Sequence, residues 1–348
     1  MSYKAQLTCR RFSLFISSLL FCLSLSAQSN FEAVDQLFKQ NQKILGNFVA
    51  LAWKDGKIVY QKQAGQDFTA KAPAPIGGAG NWMTAALVMT FVDEGKLSLD
   101  DKVTKFIPLF GKYMKGYITI RNCLTNTTGV RGEEGIKVQL KSKFESLEDE
   151  VNSYASKHDI VTNPGTEFFY SGIGPNIVAR VLEIVGKKPF DRLMMERVIR
   201  PCKMKSTSFT SEDGGAINAS GGARSTANDY INFLVMLLNK GTFEGKRVLS
   251  EKAVEEMQTA QFANLPVKYT VKGLQGAHYG LGAFIIGSGA AGAASLACPN
   301  EYGVAPFLDR CRNYAAILIV EKPEEEKKPL LQSLMNLIGE QMGACSGN

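Results

Sequence analysis

The sequence is poor in the groups that hold metals. It has only two histidines, His158 and His278, in 348 residues, and no Cys-x-x-Cys pair, so a zinc site of the usual His and Cys ligands is not expected. It lacks a strong charge of one sign. The formal net charge is +7, falling to +4 once the first 27 residues, with three basic and no acidic side chains, are set aside. That mild excess is spread along the chain and is no nucleic-acid footprint. It lacks internal repeats and long low-complexity runs. Beyond the N-terminus it also lacks an apolar run of the roughly 20 residues that a membrane span needs. Finally, no Ser or Thr after residue 27 has a Lys three positions on.

What is present begins with an export signal. Lys4, Arg10 and Arg11 make a basic start, Phe12 to Leu25 an apolar run, and Ser26-Ala27-Gln28 a cleavage point. The remaining chain, 28–348, is read as one domain with a substantial core. It holds five cysteines: Cys123, Cys202, Cys298, Cys311 and Cys345. An oxidising destination allows one or two disulfides, and Cys298 with Cys311, which flank two neighbouring strand ends, is the expected pair.

The apolar spacing predicts a helix over 30–45, then a hairpin in which Asn47 to Trp53 and Ile58 to Lys62 flank the turn Lys54-Asp55-Gly56-Lys57. Pro75-Ile76-Gly77-Gly78-Ala79-Gly80-Asn81-Trp82 turns on glycines and launches an apolar helix running to Glu94. Such a turn exposes backbone N–H groups at the positive end of a helix dipole, so Gly77, Gly78 and Gly80 are a candidate anion cradle. At Gly78 a positive φ is expected. A second strand set is predicted to begin over Tyr279 to Ile286, with a strand over Tyr314 to Val320 and a last amphipathic helix over Leu330 to Met342. Strands near both ends with helices between them imply a mixed α/β fold. Its antiparallel sheet is built from the termini (about 30–75 and 275–345), and its helical part is inserted at about 95–270.

The glycine turn, its helix and the following Glu94-Gly95-Lys96-Leu97-Ser98-Leu99-Asp100-Asp101 resemble the active-site helix of the serine β-lactamase and penicillin-binding-protein superfamily, nearest its class C and esterase-like branch. Ile118-Thr119-Ile120-Arg121, with Cys123-Leu124-Thr125-Asn126-Thr127-Thr128-Gly129, resembles that family's next helix and turn, with Asn122 and Asn126 in place of two histidines. Pro164-Gly165-Thr166-Glu167-Phe168-Phe169-Tyr170-Ser171-Gly172 resembles its Tyr-x-Asn segment. The likeness runs from about Phe48 to Gly339. It implies a Ser-x-x-Lys nucleophile and base, a Tyr-x-Asn relay, and a third motif on a strand lining the cleft. Registered on Thr84-Ala85-Ala86, the serine falls at Gly78 and the lysine at Asn81. The tyrosine is kept as Tyr170, the asparagine is Gly172, and the third motif falls on Cys298-Pro299-Asn300.

Without the nucleophile, and with serine loss costing about 10⁶ in rate in serine hydrolases, the reading is an exported non-catalytic relative with no cofactor and no metal. It would bind a peptidoglycan-like peptide, a small carboxylate or an envelope protein, in the periplasm or outside the cell. The alternative is a hydrolase or esterase using other residues, with Tyr170, Cys298 or Ser171 taking part. A packed aromatic role for Tyr170, and solvent-facing positions for His158 and His278, are the plainer expectations.

Overall fold

A computed structural model of the chain describes residues 31–134, 143–262, 264–286, 295–297, 303–321 and 328–345. The export segment therefore lies outside the described residues, as do Cys298, Pro299 and Asn300.

The core grows from two apolar runs that alternate their side chains between two faces. Phe48–Lys54 (β1) and Tyr314–Val320 (β7) pair antiparallel along their whole length, from Phe48 opposite Val320 to Lys54 opposite Tyr314. Phe48, Ala50, Ala52, Tyr314, Ala316, Leu318 and Val320 point to one face, against Val34, Phe38, Leu334 and Ile338. Val49, Leu51, Ala315, Ile317 and Ile319 point to the other, into the larger core. Period-two alternation with both faces apolar is why these strands read as unbroken hydrophobic runs and lie inside the sheet, covered on both faces.

Five more strands complete the sheet: β2 (Lys57–Ala64), β3 (His278–Tyr279), β4 (Phe284–Ile286), β5 (Ser295–Ala297) and β6 (Val304–Asp309). The order is β3-β4-β5-β6-β7-β1-β2, antiparallel throughout. Asp55 and Gly56 both take positive φ, 48° and 86°, as a two-residue turn matching strand twist requires. The strand set expected to begin over Tyr279 to Ile286 opens with the hairpin β3–β4, in which Gly282 at φ 82° reverses the chain. The N-terminal helical stretch is two helices, Glu32–Gln40 and Gln42–Leu45.

The helices sort by face. Glu32–Gln40 and Lys328–Glu340, from the two ends of the chain, cover one side of the sheet. Ala79–Asp93 and Ala227–Leu238 cover the other, and the remaining helices pack behind them. Ala79–Asp93 is buried from Ala79 to Phe91 without a polar face, which marks a helix enclosed on all sides. Ala227–Leu238 starts where Thr226 accepts the Asp229 N–H at 3.0 Å, a side-chain cap. Among the described residues no helix is long and apolar enough to cross a membrane.

The expected Cys298–Cys311 pair is not formed: Cys311 is bonded to Cys345. The last helix returns across the sheet and brings Cys345 beside the β6–β7 turn, an approach that strand spacing could not reveal. Cys123 and Cys202 are buried free thiols, and burial pushes Cys202 up to about 12 and Cys123 further in the same direction, so neither is a nucleophile at neutral pH. The bridge closes a loop of 34 residues and pins the helix that covers one sheet face. Cys345→Ser should lower unfolding free energy by about 3 kcal/mol. Urea melts of the oxidised protein check this, and reductant should bring the wild type down to the level of the variant.

Candidate functional site

The N-terminus of Ala79–Asp93 is approached closely from three sides. From the Asn218–Gly222 turn, Ser220 O and Ala223 Cβ lie 3.2 Å from where a side chain on Gly80 would start. From the β3–β4 hairpin, Gly282 packs with its missing Cβ 2.8 Å from Asn81 O and 3.0 Å from Trp82 Cα. From the third side, the Ala227–Leu238 helix, the Tyr230 hydroxyl donates to Ala79 O at 2.8 Å, while Tyr170 stands behind Tyr279 with its ring 6.1 Å away in an edge-on contact. A side chain at 282 could not keep this spacing, and one at 80 would push Ser220 or Ala223 back by a few tenths of an ångström, so Gly282 above all is required by the junction.

Inside the glycine turn the details differ from expectation. Gly78 is not left-handed: it takes φ −57° and ψ −14° as the N-cap, while Gly77 carries the positive φ, 48°. The Gly80 N–H is spent on Gly77 O at 2.9 Å, as those of Ala79 and Asn81 are on Ile76 O and Gly78 O at 3.1 Å. Gly80 is therefore no donor to an anion.

Asn81 sits in the first helical turn, buried. Its Nδ2 donates to the Tyr279 hydroxyl at 3.0 Å, and its Oδ1 meets no protein partner among the described residues. A buried amide oxygen without a partner is costly, by about 1–3 kcal/mol, unless water or a ligand completes it. Tyr170 packs among Phe168, Tyr279 and Phe284, at 5.2 Å from the Phe284 ring. Its loop is held by Asn126. The Asn126 carbonyl accepts the Phe169 N–H at 2.9 Å, and its side-chain oxygen accepts the Ser171 N–H at 3.1 Å. Asn126 does this at φ 56°, a conformation asparagine tolerates better than most residues, and Asn122 closes a capping box with Thr119. Both asparagines thus have local structural work.

Gly172 begins the Ile173–Gly186 helix. A Cβ there would lie 2.6 Å from Ser220 Oγ, which is itself fixed by donating to Asn218 Oδ1 at 2.7 Å. The space beside residue 172 is taken. Tyr279 and Ser220 are the two contributors that sequence reasoning missed. The signal for Tyr279 was the flanking Tyr279-Gly280-Leu281-Gly282, whose glycines permit close packing, and nothing in the sequence marks Ser220. Of the histidines, His278 is exposed, but His158 is half-buried, with Nδ1 3.0 Å from Arg131 O and its ring edge-on to Tyr154. Among the described residues no group of His, Cys, Asp or Glu is placed to hold a metal ion.

An antiparallel sheet backed by terminal helices, with a fully buried helix whose first turn meets a tyrosine loop and a strand edge, is the architecture of the serine β-lactamase and penicillin-binding-protein-like hydrolases. The chain belongs to the beta-lactamase family, whose model matches residues 34–336. It resembles a crystal structure from Bacteroides dorei DSM 17855 assigned to the β-lactamases. That likeness has 27% identity and a TM-score of 0.79, and covers 90% of this chain and 99% of that one. The octameric penicillin-binding protein homologue from Pyrococcus abyssi shares the fold at 18% identity, with a TM-score of 0.69 over 89% and 78% of the two chains. Protein Rv1367c of Mycobacterium tuberculosis is 24% identical over 328 residues, 75% of this chain and 82% of its own length.

Two substitutions test the junction. Gly77→Ala should cost about 1–2 kcal/mol in unfolding free energy, because alanine resists the left-handed conformation; thermal or urea melts measure it. Gly172→Asn should cost about 1–3 kcal/mol by overpacking. Adding Ser220→Gly should recover part of that loss, and a double-mutant cycle reads the coupling.

Proposed function

We propose that this is an exported β-lactamase-related protein that binds a ligand or partner in the family cleft and does not carry out serine acyl transfer. Acyl transfer through a covalent ester needs a side-chain nucleophile beside a base. At the positions where the resemblance places them, Gly78 has no side chain and Asn81 has an amide that cannot take a proton at neutral pH.

The observation that carries the reading is the occupied space at Gly172. The Ser220 hydroxyl sits 2.6 Å from where the relay asparagine would begin, so a side chain there would have to turn it away from Asn218. Asn81 is likewise integrated, bonded to Tyr279 in the first turn. Both changes have neighbours fitted to them, which speaks against an isolated sequence accident. The partnerless Asn81 Oδ1 favours a cleft that a ligand or water completes. The Cys311–Cys345 bridge supports an oxidising location, periplasmic or extracellular, in agreement with the signal-like N-terminus. Cell-wall peptide or a related carboxylate is the ligand class that the family suggests, and an envelope protein is the partner it would suit.

Intact-mass spectrometry after incubation with a penicillin tests the reading. The natural chain should show no mass gain. The Gly78→Ser, Asn81→Lys double variant should take up acyl label if the cleft still admits the β-lactam. A stoichiometric adduct on the natural chain would overturn the reading, and the labelled peptide would identify the nucleophile.

A further inference from the structure

Gly172, the helices Leu147–Lys157 and Ile173–Gly186 and the Asn218–Ser220 turn line a cavity of about 230 Å³. A water molecule occupies roughly 30 Å³ and drug-sized pockets run to roughly 300–1,000 Å³, so this space suits a molecule the size of an amino acid. Its deep wall is polar and buried: Glu150 is 6% exposed, and Tyr154, Asn176 and Ser220 are also buried.

The hydrogens of the buried side chains Tyr154, Asn176 and Ser220 are already spent. The Tyr154 hydroxyl donates to Glu150 Oε1. Asn176 Nδ2 donates to the same Oε1 at 3.1 Å and to the Tyr154 hydroxyl at 3.2 Å. Ser220 gives its hydrogen to Asn218 Oδ1 at 2.7 Å. His158 faces a carbonyl, Arg131 O, at 3.0 Å through Nδ1, so that nitrogen is the donor. What remains is acceptor capacity, above all Glu150 Oε2, which has no protein partner among the described residues. The rim is different: the exposed Lys143 is a cation and Glu133 an anion.

Buried side chains that offer lone pairs and have spent their own hydrogens favour a ligand that brings several donors on one atom, and an ammonium brings three. We propose that this cavity binds the α-ammonium group of a small zwitterion, an amino acid or the N-terminal residue of a peptide, with Glu150 as its anchor and Lys143 facing the carboxylate side. Nothing in this requires turnover in the neighbouring cleft, so it stands or falls apart from the reading above.

The test is isothermal titration of the mature protein with alanine of either hand, N-acetylalanine and alanylalanine. At least one free amine should bind saturably. N-acetylation should weaken it by at least about tenfold, the loss of a charge-assisted hydrogen bond. Glu150→Gln should do the same, since it keeps the acceptor for Tyr154 and Asn176 but turns a donor into the cavity. Circular dichroism verifies that the variant is folded, and the N-acetyl comparison in the wild type decides the matter if it is not. Binding of alanine alone identifies a free amino acid as ligand, and binding of alanylalanine as well identifies a peptide N-terminus. Absence of saturable binding by any of the amines at millimolar concentration, or equal binding of N-acetylalanine, would overturn the proposal.

Discussion

The enclosure of one helix governs this structure. Ala79–Asp93 has no polar face, so it must be covered along its whole length, and its N-terminus must accept three neighbours at backbone distance. Gly80 and Gly282 make that approach possible, and Thr84 ties the helix to the turn beneath it by donating to Ala219 O at 2.6 Å. The Tyr230 hydroxyl donates to Ala79 O at 2.8 Å and holds the helix start against Ala227–Leu238. In this frame a side chain at residue 78, 81 or 172 is either projected into a cleft or absorbed by packing. Asn81 and Gly172 have been absorbed.

The same frame separates two polar environments. On one side of Gly172, aromatic rings from Phe168, Tyr170, Tyr279 and Phe284 line the approach to Asn81. On the other, Glu150, Tyr154 and Asn176 form a hydrogen-bonded group beside an open space. A buried carboxyl is expensive without partners, and burial does raise the Glu150 carboxyl above its usual 4.5. The Tyr154 hydroxyl and Asn176 Nδ2 supply the partners that make its burial tolerable.

The inner strand pair of the sheet was legible because β1 and β7 alternate between two apolar faces, and Asp55-Gly56 marks its hairpin without ambiguity. The family was legible because long stretches, from Glu94 to Asp101 and from Pro164 to Gly172, keep recognisable motif residues. Other features depend on contacts between residues far apart in the chain. Cys345 reaches Cys311 only because the last helix crosses the sheet. Ser220 fills the space beside Gly172 from a turn about 50 residues away, which no local pattern signals. Gly77 rather than Gly78 takes the left-handed conformation because the helix begins one residue earlier than the glycine run suggests, with Gly78 already in helical geometry as its cap. Nothing in the sequence around Glu150 marks it as buried; only the placement of Asn176 and Tyr154 around it shows that.

The most direct measurement of the central claim is steady-state turnover of a chromogenic cephalosporin and an aryl ester by the purified mature protein. The account predicts a rate no greater than that of buffer containing an unrelated protein. Saturable turnover that is abolished by Tyr170→Phe or by a thiol-blocking reagent would contradict it, because the cleft would then hold a working nucleophile or base that the reading denies.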